Sequence, residues 1–208
     1  MLRIQFLAAL GSAVAATTVP SPLPTVPSNP WEQCDADIGL PYDRPLLMKM
    51  RSLDGPDFDL AKYRGQSLVI NLFATWCGPC NQEMPAIVEA AQDYRDRALA
   101  VIAINDREQD DTVREFRKKY AIDFPIAMDE TGRMFYAIEH GQQLEAKSLV
   151  FPATMFVDAG GYLYCYVTGS MSRQELRYRI DHLLAESARI SQPPSPSPSP
   201  ARRSKCFV

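Results

Sequence analysis

Residues 67–80 read SLVINLFATWCGPC, and this stretch decides the fold. Ser67 to Ala74 is a short, nearly continuous apolar run, as expected of a strand buried on both faces of a sheet. It leads directly into Trp76-Cys77-Gly78-Pro79-Cys80. Beyond the second cysteine, Met84, Ile87, Val88, Ala91 and Tyr94 recur at three- and four-residue spacing. That spacing predicts an amphipathic helix from Pro79 to about Arg97, with Pro85 kinking its early part. Two thiols therefore sit where a buried strand hands over to a helix.

That position makes one thiol a nucleophile. Unpaired N–H groups at a helix start stabilise a thiolate, and such Cys-x-x-Cys pairs can lower a cysteine pKa from about 8.5 to roughly 3.5–7.5. Cys77 is expected to attack a disulfide, and Cys80, one turn deeper, to release the mixed disulfide. The competing uses of such a pair are half of a zinc site and a plain structural bridge. Zinc needs a second Cys or His pair. His140 and His182 are the only histidines and lie in different segments, while Cys34, Cys165 and Cys206 are scattered. No metal and no other cofactor is expected, and thiols at an exposed helix start beside Trp76 are poorly placed for a purely structural bridge.

Further strands and helices alternate after the motif. Leu99 to Ile104 reads as a second buried strand, and Val113, Phe116 and Tyr120 mark a helix capped at Asp110 or Asp111. Phe124 to Met128 is a third strand, with a helical turn or two from Thr131 to Ile138. This alternation implies parallel strands. The last third changes character: Ala153 to Val157 and Tyr162 to Thr168 flank Asp158-Ala159-Gly160-Gly161, which predicts an antiparallel hairpin. Ser172 with Glu175 reads as a capping box, and Leu176, Ile180, Leu183 and Leu184 give the closing helix one apolar stripe.

The chain has 208 residues and a formal charge of −3 without a strong block of either sign. One domain with tails is expected, and nucleic acid is not expected as a partner. The 17 prolines concentrate near the ends. Met1 to Ala16, with Arg3, a mostly apolar run from Ile4 to Val14 broken by Gln5, and small residues at Ala13 and Ala15, reads as a secretory signal with cleavage near Ala15. Residues 17–45 read as a Pro-rich linker and N-terminal segment, 46–190 as the folded domain, and 191–208 as a disordered Pro/Ser tail. Cys206 stands third from the end, so a prenylation signal is not expected in the tail. A Cys34–Cys165 disulfide and a quiet strand residue at Cys165 are both open, since connectivity is not readable from sequence.

The order of strand, WCGPC, helix and a proline before a hairpin resembles thioredoxin. Finer details resemble its exported TlpA/ResA-like branch: Phe58-Asp59-Leu60 with Gly65, Asn71 where thioredoxins proper carry a buried Asp, Glu83 and Pro85 in CNQEMP, and Pro152 in FPATMFVD. The resemblance runs from about Leu46 to Ala188. It implies an α/β thioredoxin fold: a central mixed sheet with parallel strands, a C-terminal antiparallel hairpin and helices on both faces. It further implies a cis Pro152 beside the cysteines, Trp76, Phe151 and Pro152 as substrate-binding residues, and Glu83 as the group that tunes or relays protons for the pair. The implied activity is reduction of disulfides in exported proteins of a bacterial periplasm, apocytochrome c among them, with a membrane thiol carrier as electron donor. An oxidant that introduces disulfides is the alternative enzyme. A Cu(I) metallochaperone is the alternative from another class, with Met155 and His140 as further ligands. Two departures stand out: Phe151 is bulkier than usual before this proline, and Glu139 to Val150 form an extra loop expected to border the site and shape partner choice.

Overall fold

The computed structural model describes Cys34 and residues 44–132 and 151–190. The expected signal, most of the linker, the Pro/Ser tail, the end of the 131–138 turn, and the 139–150 loop with His140 lie outside the described residues. Among the described residues, seven strands form one sheet: β1 (Lys49–Ser52), β2 (Phe58–Asp59), β3 (Ser67–Phe73), β4 (Leu99–Asp106), β5 (Ile126–Asp129), β6 (Ala153–Val157) and β7 (Leu163–Thr168), in the order β2-β1-β5-β4-β3-β6-β7. The pairs β3–β4 and β4–β5 are parallel, and β3–β6, β6–β7, β1–β5 and β1–β2 are antiparallel.

The central place of β3 explains its composition. It has a neighbour on each side and all seven of its residues are buried, so neither face tolerates a polar alternation. Side chains still alternate between faces. Val69 and Phe73 join one apolar cluster with Val101, Ala103 and Phe156, whereas Leu68, Ile70 and Leu72 join another with Ile102, Ile104 and Met155.

The first cluster is covered by α1 (Gly78–Asp93), α2 (Asp110–Tyr120) and α3 (Arg173–Ile190), through residues such as Met84 and Ile87, Val113 and Phe116, and Ile180 and Leu183. Each buried aliphatic side chain of this size contributes about 1.5–3 kcal/mol. On the opposite face, the second cluster is covered by Leu46 and Met48 and by a 3-10 turn, Leu60–Tyr63, whose N-terminus is capped by Asp59 accepting from the Ala61 N–H at 3.0 Å.

Several local expectations shift. The motif helix ends at Asp93 rather than near Arg97. The cap of α2 is Gln109, not Asp110 or Asp111; both aspartates lie in the first turn, where their charge favours the positive end of the helix dipole. The third strand starts at Ile126, not Phe124, and β7 starts at Leu163, with Tyr162 instead bridging to Pro45. Of the capping box, Ser172 Oγ accepts the Glu175 N–H at 3.1 Å, while the Glu175 carboxylate takes Arg179 at 2.9 Å. Cys34, in the expected linker, is disulfide-bonded to the fully buried Cys165 of β7.

Candidate active site

β3 ends at Phe73, and three residues later Trp76 opens the cysteine motif. Cys77 is the N-cap of α1, with extended backbone (φ −75°, ψ 110°), and Pro79 follows in the first turn, where the missing N–H of proline costs no helical hydrogen bond. Cys77 and Cys80 are joined as a disulfide, and the Cys80 N–H donates to Cys77 Sγ at 3.1 Å. A helix-start N–H thus already points at the sulfur that would carry a thiolate after reduction. Both cysteines are buried, whereas Trp76 is 70% exposed.

The expected substrate-binding residues gather around this disulfide. β6 runs antiparallel to β3 with Ala153 opposite Leu72, so Phe151 and Pro152 lie at the end of the sheet where β3 enters the motif. The Phe151–Pro152 bond is cis, as the resemblance implies, and the Pro152 carbonyl accepts the Gly169 N–H at 2.8 Å. Trp76 meets the half-buried Phe151 edge to face, ring centroids 6.2 Å apart, an arrangement that aromatic quadrupoles favour. An exposed aromatic wall therefore stands beside the cysteines.

Glu83 lies about one turn further along α1, three residues after Cys80. It is buried. One carboxylate oxygen accepts the Met171 N–H at 2.8 Å and the other accepts Asn71 Nδ2 at 3.2 Å. Asn71 also donates to Thr154 Oγ1 at 3.1 Å, so the α1 carboxylate bonds β3 and the entry to α3 directly and is linked to β6 through Asn71. Burial pushes the Glu83 pKa up to about 7, against the two hydrogen bonds, which lower it; the charge of Glu175 adds to the rise. A carboxyl group poised near neutrality can give or take a proton at working pH.

Residues that the sequence did not single out hold the turn before Cys77. Glu108, in the segment after β4, accepts from both the N–H and the hydroxyl of Thr75 and from Asn105 Nδ2 at 2.6 Å. Asn81 donates to the carbonyls of Thr75 and Cys77 at 2.9 and 2.8 Å. Neither contact leaves a periodicity or spacing signal, because each bridges elements distant in sequence or closes an irregular turn.

Met155 does not join the cysteines. It is buried in the cluster on the opposite face of the sheet from Cys77 and Cys80, since successive residues of β6 point to opposite sides. Among the described residues, no group of three or more His, Cys, Asp or Glu could hold a metal ion.

A family model described as the AhpC/TSA family matches residues 44–164. The thioredoxin-like protein YneN of Bacillus subtilis is 30% identical over 135 residues, covering 64% of this chain and 74% of that protein. The thiol-disulfide oxidoreductase ResA of Geobacillus thermodenitrificans is 26% identical over 134 residues, 64% of this chain and 72% of that one. Among solved structures, a thiol:disulfide interchange protein of the thioredoxin family from Chlorobium tepidum superposes with a TM-score of 0.60 at 24% identity, over 68% of this chain and 95% of that one; that likeness speaks for the fold. A secreted Mycobacterium tuberculosis disulfide oxidoreductase, described as homologous to Escherichia coli DsbE, superposes with a TM-score of 0.54 at 27% identity, over 65% and 95% of the two chains.

Proposed function

Since the chain belongs to the AhpC/TSA family and has the thioredoxin fold, we propose that it is a thiol-disulfide oxidoreductase that reduces disulfides in exported proteins through Cys77 and Cys80. The observation that carries this reading is the Cys77–Cys80 disulfide at a helix start, with the Cys80 N–H on Cys77 Sγ and a buried carboxyl three residues further on. The names of ResA and of the Mycobacterium tuberculosis protein support thiol-disulfide exchange as the reaction class, and the description of the latter as secreted supports the exported setting.

In the reduced enzyme, the Cys77 thiolate attacks one sulfur of a substrate disulfide. A Cys77–substrate disulfide forms, and the other substrate sulfur leaves as a thiolate that takes up a proton. Cys80 then loses its proton and attacks Cys77 Sγ, which re-forms the intramolecular disulfide and releases the second substrate thiol. Two electrons pass from the enzyme to the substrate. In this reading Glu83 accepts the Cys80 proton, because its pKa of about 7 leaves it partly ionised at neutral pH. Asn71 cannot take a proton itself; it orients the carboxylate that does. Trp76, Phe151 and Pro152 bind the substrate beside the cysteines. The electrons return from a membrane-bound thiol carrier, the substrates include apocytochrome c, and the compartment is the periplasm.

The reduction potential of the Cys77–Cys80 pair in a glutathione or dithiothreitol buffer tests this. A value near thioredoxin's, about −270 mV or lower, supports a reductase; a value near about −120 mV marks an oxidant instead. A pair that does not titrate sinks both. Trapping partners on a Cys80→Ser variant, which halts the exchange at the mixed disulfide, identifies the substrate class.

A further inference from the structure

Asn81 follows the second cysteine, and its side-chain amide has every hydrogen-bonding position filled. Nδ2 donates to the Thr75 and Cys77 carbonyls at 2.9 and 2.8 Å. Oδ1 accepts the Tyr120 hydroxyl at 2.7 Å and Lys119 Nζ at 3.0 Å. An amide offers two donors and two acceptor positions, and here all four are used. Its orientation follows from the partners: carbonyls only accept and an ammonium only donates, so Nδ2 must face the turn and Oδ1 must face α2.

We propose that Asn81, gripped by Tyr120 and Lys119 of α2, is a positioning residue that holds the Cys77 backbone so that its sulfur faces the N–H groups at the start of α1. The Cys77 carbonyl receives two donors from this one residue, Nδ2 and the Asn81 backbone N–H, the latter at 3.1 Å. With the disulfide opened, these bonds and the one to Thr75 remain as direct ties on the turn, joined by the Glu108 contacts to Thr75. The grip has its own support: Phe73 of β3 stacks on Phe116 at 5.0 Å, and Phe116 packs on Tyr120 at 4.6 Å. α2 is thus coupled to the reactive sulfur through three aromatic rings and one amide.

This rests on the reading of Cys77 as the attacking thiol. Among the described residues, the charged and titratable groups tied to the turn or to the motif helix are Glu83 on α1, Glu108 after β4, Lys119 and Tyr120 on α2, and Glu175 on α3, which acts through Glu83.

The test is the pH profile of iodoacetamide alkylation of the reduced, full-length protein, followed on the Cys77 peptide by mass spectrometry so that Cys206 does not contribute. Asn81→Ala is expected to slow alkylation at pH 7 about tenfold, a displacement of the profile by about one pH unit. Asn81→Asp is expected to shift it further, because a carboxylate cannot donate to either carbonyl and adds negative charge beside the thiolate. Tyr120→Phe and Lys119→Met are expected to shift it the same way by less. These two leave the motif helix intact and decide the matter alone if the Asn81 variants do not fold. Profiles that coincide with wild type in all the folded variants overturn the assignment. Disulfide reduction by the wild type is measured alongside: if it is absent, the oxidoreductase reading fails, whereas normal reduction with unshifted profiles overturns only the role of Asn81.

Discussion

Glu83 and Met171 are 88 residues apart, yet the Met171 N–H donates to the Glu83 carboxylate at 2.8 Å in a buried site about one helical turn beyond Cys80. The bond ties the motif helix to the entry of α3, and it leaves an acid inside the core whose pKa stands at about 7 instead of 4.5, chiefly because of burial. Between those two values the native state holds a proton that the unfolded chain has released. Stability therefore falls as pH rises through this window, by at most about 3 kcal/mol from this group. Urea unfolding between pH 5 and 8 should show the slope in the wild type, and Glu83→Gln should remove it. An unchanged slope in the variant would place the titrating group elsewhere.

Trp76 and Phe151 should separate binding from chemistry. Trp76 is 70% exposed and touches Phe151 only edge to face, so truncating it removes little core. Trp76→Ala is expected to change unfolding stability by less than about 1 kcal/mol. It should lower kcat/KM for a protein disulfide about tenfold, in keeping with an anchoring aromatic contact. Exchange with dithiothreitol, a small dithiol that does not need the aromatic contact, should stay near wild type. Equal losses with the protein disulfide and with dithiothreitol would mean that the indole acts on the thiols instead.

The Cys34–Cys165 bridge closes a loop with a sequence separation of 131. Loop-closure entropy for such a span stabilises the fold by up to about 5 kcal/mol. The double variant Cys34→Ser, Cys165→Ser should unfold at lower denaturant with a loss of about 2–5 kcal/mol, while the Cys77–Cys80 potential remains unchanged. A potential that moved with the clip would reveal a coupling between the two bridges.

Ala121 ends α2 in the left-handed region, φ 52°, with its N–H on the Lys118 carbonyl and the Ile122 N–H on that of Arg117. A glycine takes this conformation without the Cβ clash that alanine carries. Ala121→Gly should therefore raise stability by about 0.5–1 kcal/mol in chemical denaturation, with no change in activity.

Much of the fold was legible because its signals are local. The apolar run of β3, the three- and four-residue spacing of α1 and the Gly-rich turn between β6 and β7 each depend on near neighbours, and each element stands where that pattern puts it. Boundaries were less legible: Gln109 rather than an aspartate caps α2, because the cap depends on where the chain leaves β4 rather than on the side chain that suits the position best.

The sequence by itself determined the chemistry of this protein: two thiols at a strand-to-helix junction, with an acid three residues beyond them, are fixed by covalent spacing and by the geometry of a helix start. Only the tertiary structure decided the setting of those groups. The burial that lifts Glu83, the placing of Met155 on the far side of the sheet, the pairing of Cys34 with Cys165 and the grip of α2 on Asn81 all join residues distant in the chain. They arise from packing β3 between its neighbours and seating α1, α2 and α3 on one face, and no local pattern encodes such a meeting.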